Sequence, residues 1–259
     1  MKNYILIFLT ALGPVCSVMG ELPEFTLSAG GGFLLGGLFT RYTLTADENT
    51  PLGPADLEMT QAMDQFNYGG YLFIDATYGE FTVEIQRGLN RYQETLNGIG
   101  QGSYFNDIPL DGTGTETMLG FTLAGKYPFT LREGLSIYPL VGIEYQIALV
   151  EKRRPEGEDT QNRADGKTEL DGSREFSRSM WNSLFIDAGA GLDLMIKYPF
   201  FLRAELVYRF RLKTPAERES IDYVQDRFGI SRPTLFGNPR ISGLTHGPEL
   251  RVALGCRFF

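Results

Sequence analysis

Strict alternation of apolar and polar residues is the strongest signal along the chain. From 201 to 213 the even positions Leu202, Ala204, Leu206, Tyr208, Phe210 and Leu212 are apolar, while Arg203, Glu205, Arg209, Arg211 and Lys213 occupy odd positions. Successive side chains of a strand point to opposite faces, so this pattern predicts a strand with one greasy and one charged face. Before it, Leu184, Ile186, Ala188, Ala190, Leu192, Leu194 and Ile196 alternate with Asp187, Gly189, Gly191 and Asp193. Ile137, Val141, Ile143, Tyr145, Ile147 and Leu149 oppose Gly142, Glu144 and Gln146, and Phe81, Val83 and Ile85 oppose Thr82, Glu84 and Gln86. The last segment sets Leu250, Val252, Leu254, Cys256 and Phe258 against Glu249, Arg251 and Arg257. Weaker, glycine-rich versions run over 25–42, 68–78 and 117–127, which makes eight predicted strands.

The predicted connections alternate in length. Those after the second, fourth and sixth strands are brief: around Gly79, over 128–134 and over 198–200. Those after the first, third, fifth and seventh are long and polar, roughly 25 to 35 residues, which is foreign to a compact soluble domain. An all-β, eight-stranded, antiparallel up-and-down transmembrane barrel has this asymmetry, with short periplasmic turns and long extracellular loops. A soluble barrel with its apolar face inward also alternates. Strand length, the clustering of long loops at one end, and the terminal Phe258-Phe259 favour lipid outside.

With lipid outside, the lumen is predicted to hold a charge network of Glu84, Glu144, Asp187, Asp193, Arg203, Glu205, Arg209, Arg211, Glu249, Arg251 and Arg257. Eight strands enclose just enough space for side chains to fill, so these charges must pair with one another, with acidic residues of the third, fifth and sixth strands facing basic residues of the seventh and eighth. An aromatic girdle is predicted where strands meet short turns. Lys126-Tyr127-Pro128-Phe129 and Lys197-Tyr198-Pro199-Phe200 repeat one motif there, joined by Tyr78 and Phe258. Tyr42, Tyr68, Trp181 and Phe210 are candidates for the opposite girdle.

The N-terminus adds an export signal. Lys2 precedes an apolar run over 4–12, then Gly13, Pro14 and small residues, so 1–20 reads as a signal peptide cleaved after Gly20, leaving 21–259 as the barrel domain. A second reading makes Cys16 the lipid-modified residue of a lipoprotein, although Val15 is larger than the preceding position usually accepts. After signal removal Cys256 stands alone, so the fold cannot rely on an internal disulfide. The single histidine, His246, leaves no zinc cluster, and no metal or cofactor is expected. A net charge of -8 with no basic stripe argues against nucleic-acid binding.

These features resemble the small outer-membrane barrels of double-membraned bacteria: the OmpX and OmpW families and the transmembrane domain of OmpA. The OmpW-like type fits best, since nothing remains for a separate periplasmic domain. The resemblance is architectural and spans the mature chain. It implies outer-membrane lipids and the insertion machinery as partners, and a narrow or closed pore for small, hydrophobic solutes. One departure concerns the terminal phenylalanine, which such families keep in phase with the lipid-facing residues. Here Phe258 is in phase and Phe259 is not.

Other chemistry is thin. His246 could act as a base for Ser242 or Thr245 with Glu249 orienting it, as in a lipid-modifying barrel enzyme, but a solvated histidine is the plainer reading and no catalytic residue is assigned. Asp187 and Asp193 lie six residues apart on one strand, roughly 20 Å, too far to share a metal. Glu156, Glu158, Asp159, Asp165, Glu169 and Asp171 lack the spacing of a calcium loop. The connection over 214–247 mixes hydrophobic residues with charges, and 216–228 is compatible with a short helix over the barrel mouth. Gly31, Gly32, Gly36 and Gly37 either supply curvature or thin the wall for a lateral exit. The main alternative to a pore is a surface interaction protein or adhesin that meets host molecules through its loops.

Overall fold

The alternating segments pair edge to edge into one sheet that closes on itself. The structure, a computed structural model, describes residues 25–46, 49–50, 53–54, 56–100, 103–109, 112–155, 168–169, 182–212 and 240–258. The predicted signal peptide with Cys16, Trp181, Phe259, the segment 216–228 and Glu156, Glu158, Asp159, Asp165 and Asp171 lie outside the described residues.

Eight strands form the wall: β1 (Leu27–Ala46), β2 (Asp56–Ala76), β3 (Gly79–Gly100), β4 (Gly112–Lys126), β5 (Leu135–Pro155), β6 (Ser183–Lys197), β7 (Phe200–Leu212) and β8 (Arg240–Arg257). Each pairs antiparallel with its sequence neighbours, and β1 closes on β8 from Ser28↔Arg257 to Thr45↔Arg240. Closure leaves the barrel no open edge and satisfies its backbone internally, which is the condition for a sheet in lipid. Both sides of β1 are paired through Gly31, Gly32 and Gly36, while Gly37 is in register with Phe66 of β2 and the ladder to β8 is interrupted there.

Turn chemistry fixes the short end. β2 and β3 are joined through Thr77 and Tyr78, with Thr77 Oγ1 accepting from Thr26 N at 2.6 Å. Between β4 and β5 a short strand, Phe129–Arg132, folds back on β5 through Glu133 and Gly134. Gly134 has φ 77°, a left-handed conformation in which only glycine escapes Cβ strain.

The other end departs from expectation. β2 begins at Asp56 rather than 68, β3 continues to Gly100, and β8 starts at Arg240. The first and third connections are therefore much shorter than predicted, because the ladders simply continue. Beyond Tyr68↔Arg87 the β2–β3 pair adds twelve register pairs, up to Asp56↔Ile99. That is roughly 40 Å along the strands at about 3.3 Å per residue. Glu58, Thr60, Asp64, Arg91 and Gln93 point outward there and are exposed, so no apolar face marks these stretches as strand.

Glycines inside the wall make room for lumen side chains. A Cβ on Gly191 would lie 2.4 Å from Cε2 of Tyr138, whose ring covers that position. Gly191→Ala is expected to displace the ring and lower stability by roughly 1–3 kcal/mol, read as a lower urea midpoint in lipid vesicles.

Candidate functional site

The two faces of the wall could hardly differ more. Outward positions are apolar around the whole circumference, from Phe33 on β1 through Leu72, Ile85, Leu123, Ile143, Ile186 and Leu206 to Leu254 on β8, and all are exposed. Inward positions are buried and mix charged and polar side chains with aromatic and aliphatic ones, such as Leu34, Tyr71, Phe73, Tyr138 and Val207. A soluble barrel would reverse this, with its apolar face inside. An exposed apolar band on a closed barrel is stable only in a membrane.

The inward charges gather into two layers. Near the short-turn end, Arg203 of β7 crosses the lumen to the opposite wall. Its Nη2 donates to Asp75 Oδ2 and its Nη1 to Glu80 Oε2, both at 2.5 Å, while its Nε donates to Asp193 Oδ1 at 2.8 Å. Asp75 and Glu80 are register partners on β2 and β3, and two carboxylates placed opposite one another repel. Arg203 and Lys126, the latter donating to Asp75 at 2.5 Å, convert that repulsion into attraction. Aromatic rings complete the layer: the Arg203 guanidinium carbon lies 4.3 Å from the Phe73 centroid, and Lys126 Nζ 4.5 Å from that of Tyr138. Tyr138 Oη donates to Glu205 Oε1 at 2.7 Å.

The second layer sits deeper. Arg209 Nη1 donates to Glu249 Oε2 at 2.7 Å and Nη2 to Glu144 Oε1 at 2.5 Å. Arg251 Nε donates to Glu249 Oε1 at 2.7 Å and Nη2 to Glu84 Oε2 at 3.3 Å. Gln86 Nε2 ties the pair together, donating to Glu84 Oε1 and, at 3.2 Å, to Glu249 Oε2. Asp187 Oδ2 is 3.9 Å from Arg251 Nη2 and makes no direct hydrogen bond. Arg203, Arg209 and Arg251 are 0, 1 and 2% exposed, so each guanidinium is enclosed by its layer.

Of the eleven residues expected in the lumen, nine belong to these layers. Arg211 stands above them, donating from Nη1 to Tyr42 Oη at 2.9 Å. Arg257 lies at the short-turn mouth, half-buried, with its Nε lacking a hydrogen-bond partner. Sequence reasoning missed Asp75, Glu80 and Lys126. Glu80 is in phase with Glu84, and extending that phase to the strand end finds it.

A cavity of about 350 Å³ opens beneath the lower layer, lined by Asp75, Lys126, Tyr138, Asp193, Phe201 and Arg257 among others. Around this mouth Tyr78, Tyr198, Phe200 and Phe258 are exposed, and Tyr127 packs between Tyr78 and Phe129 at centroid distances of 5.8 and 5.0 Å. Tyr42 does not join the opposite girdle. β1 turns even-numbered residues inward, so Tyr42 is buried in the lumen and bonds Thr245 Oγ1 at 2.9 Å.

His246 lies on the outward face, its Nδ1 2.5 Å from Tyr208 Oη and its ring stacked near Phe210. Thr245 and Glu249 point into the lumen and are buried. The histidine and those two residues therefore lie on opposite sides of the wall, and the arrangement considered from sequence is not assembled.

No protein-family model matches the chain, and no curated protein matches it. Among solved structures, Neisserial surface protein A is 12% identical, covering 88% of this chain and 99% of its own, with a TM-score of 0.33. The outer membrane protease OmpT of Escherichia coli is 7% identical, covering 92% of this chain and 99% of its own, also at 0.33. The translocator domain of the autotransporter NalP from Neisseria meningitidis is 12% identical, covering 99% of this chain and 97% of its own, at 0.23. The strand count and closure rest on this chain's own ladders: the fold is that of an eight-stranded outer-membrane barrel.

Proposed function

We propose that this outer-membrane protein is a closed barrel whose lumen is a structural plug, and that it works at the cell surface through the wall and connections raised above the membrane. The burial of Arg203, Arg209 and Arg251 in two carboxylate layers carries this reading, because a conducting path would have to pass both. The raised β2–β3 ladder supplies a rigid support for binding surfaces, the usual place for function on such a scaffold. Host molecules are the partners such a surface would meet.

Single-channel recording of refolded 21–259 in a planar bilayer tests the plug. Silence from folded protein is expected. Reproducible openings altered by Arg209→Ala would replace this reading with the OmpW-like one, a narrow pore for small solutes, for which the 350 Å³ cavity would be the vestibule.

Orientation is tested separately on a Cys256→Ser background. A membrane-impermeant maleimide is expected to label Thr60→Cys on intact cells, and Arg132→Cys only after the outer membrane is permeabilised. The reverse pattern would put the raised wall in the periplasm.

A further inference from the structure

Arg87 occupies a position that the barrel alone does not explain. It points outward from β3, two residues from exposed Ile85 on one side and two from exposed Leu89 on the other, and lies opposite Tyr68 in the ladder. This is the lipid-facing row. An arginine in that row is costly at the bilayer midplane and close to neutral near the interface, where its guanidinium reaches headgroups. The stacked Phe66 and Tyr68 mark the interfacial level.

Two further arginines continue the strip on the same side. Arg91, four residues on, faces outward opposite Asp64. Arg41 of β1, two residues beyond exposed Phe39, donates to Asp64 Oδ1 at 2.9 Å. Asp64 thus engages Arg41, while Arg87 and Arg91 have no ion pair among the described residues. At the same end, the outward faces of β5, β7 and β8 carry Tyr145, Tyr208, Phe210, Leu244 and His246 instead. Among the described side chains, the cationic strip is confined to β1–β3.

We propose that Arg87 and Arg91 bind the phosphate of an outer-leaflet lipid headgroup, a phosphorylated glycolipid whose acyl chains lie along Leu35, Leu72 and Ile85. Guanidinium groups match phosphate oxygens in fork geometry, and the apolar row below receives the chains. Basic residues at a membrane surface contribute about 1 kcal/mol each toward anionic lipid, so each arginine accounts for about fivefold in affinity. The inference rests on the outer-membrane reading, and the labelling experiment above tests that reading independently.

The test titrates lipid A into the refolded protein in zwitterionic micelles and follows bound lipid. Arg87→Gln/Arg91→Gln is expected to bind lipid A about thirtyfold more weakly. Arg87→Lys/Arg91→Lys should retain most of the binding, and Arg132→Gln at the opposite end should retain all of it. Dephosphorylated lipid A should bind wild-type protein no better than lipid A binds the double glutamine variant. Retained heat-dependent gel mobility establishes that each variant is folded. Equal affinity of wild type and the double glutamine variant for lipid A, or equal affinity of the two lipids for wild type, would overturn the proposal.

Discussion

Replacing Arg203 with alanine is expected to destabilise the barrel by roughly 3–5 kcal/mol, the scale seen when one partner of a buried ion network is removed. The reason is local. Arg203 is the shared donor to Asp75, Glu80 and Asp193, and without it the first two face each other across adjacent strands with only Lys126 nearby. Each carboxylate would need a proton or water in a site built for a guanidinium. The measurement is urea unfolding in lipid vesicles. Neutralising the partners as well, in Arg203→Met and Lys126→Met with Asp75→Asn, Glu80→Gln and Asp193→Asn, should recover much of the loss, since these carboxylates and the lysine that pairs with them are then removed together. A quintuple variant as unstable as Arg203→Ala would mean that packing around Phe73 and Phe201, rather than charge, sets the cost.

The second large effect lies on the opposite face. Leu206 is in the middle of β7 and 61% exposed. Leu206→Arg should cost roughly 2–4 kcal/mol in a bilayer, while Leu212→Arg, at the end of the strand, should cost about 0–1. The gradient matters more than either value, because it follows depth in hydrocarbon. Equal, small costs at both positions would mean that the apolar face does not meet lipid, whatever the closure of the sheet.

Legibility in the sequence followed solvent. β5, β6 and β7 were plain because their two faces meet opposite environments, lipid against Leu202 and Leu206, ion pairs around Arg203 and Arg209. The upper parts of β2 and β3 were invisible for the same reason reversed. Past Tyr68 the outward face meets water, so Glu58, Thr60 and Asp64 resemble loop residues although their backbones are paired. Tyr42 shows a different limit. Its glycine-rich strand gives little sense of which parity is inward, and only the ladder, with Leu38 and Thr40 buried beside it, assigns the face. The charge layers were legible as in-phase residues, with acidic strands set against basic ones, but not as individual pairs. Arg203 meets Asp75 across 128 positions of sequence, and no periodicity specifies which strand lies across a lumen.

That separation has a consequence for assembly. Six of the layer carboxylates, Asp75, Glu80, Glu84, Glu144, Asp187 and Asp193, lie on β2, β3, β5 and β6, whereas all three layer arginines lie on β7 and β8. A sheet of the first six strands, with Lys126 its only layer cation, would bring a surplus of negative charge into the membrane with nothing to balance it. The closing strands β7 and β8 bring the three arginines, together with Glu205 and Glu249, and so the hydrogen-bond donors that these carboxylates need. Partial insertion is therefore penalised and completion rewarded, so the ion layers proofread closure: a chain that joins β8 to β1 out of register misplaces Arg251 and Glu249 and forfeits their bonds to Glu84 and Arg209.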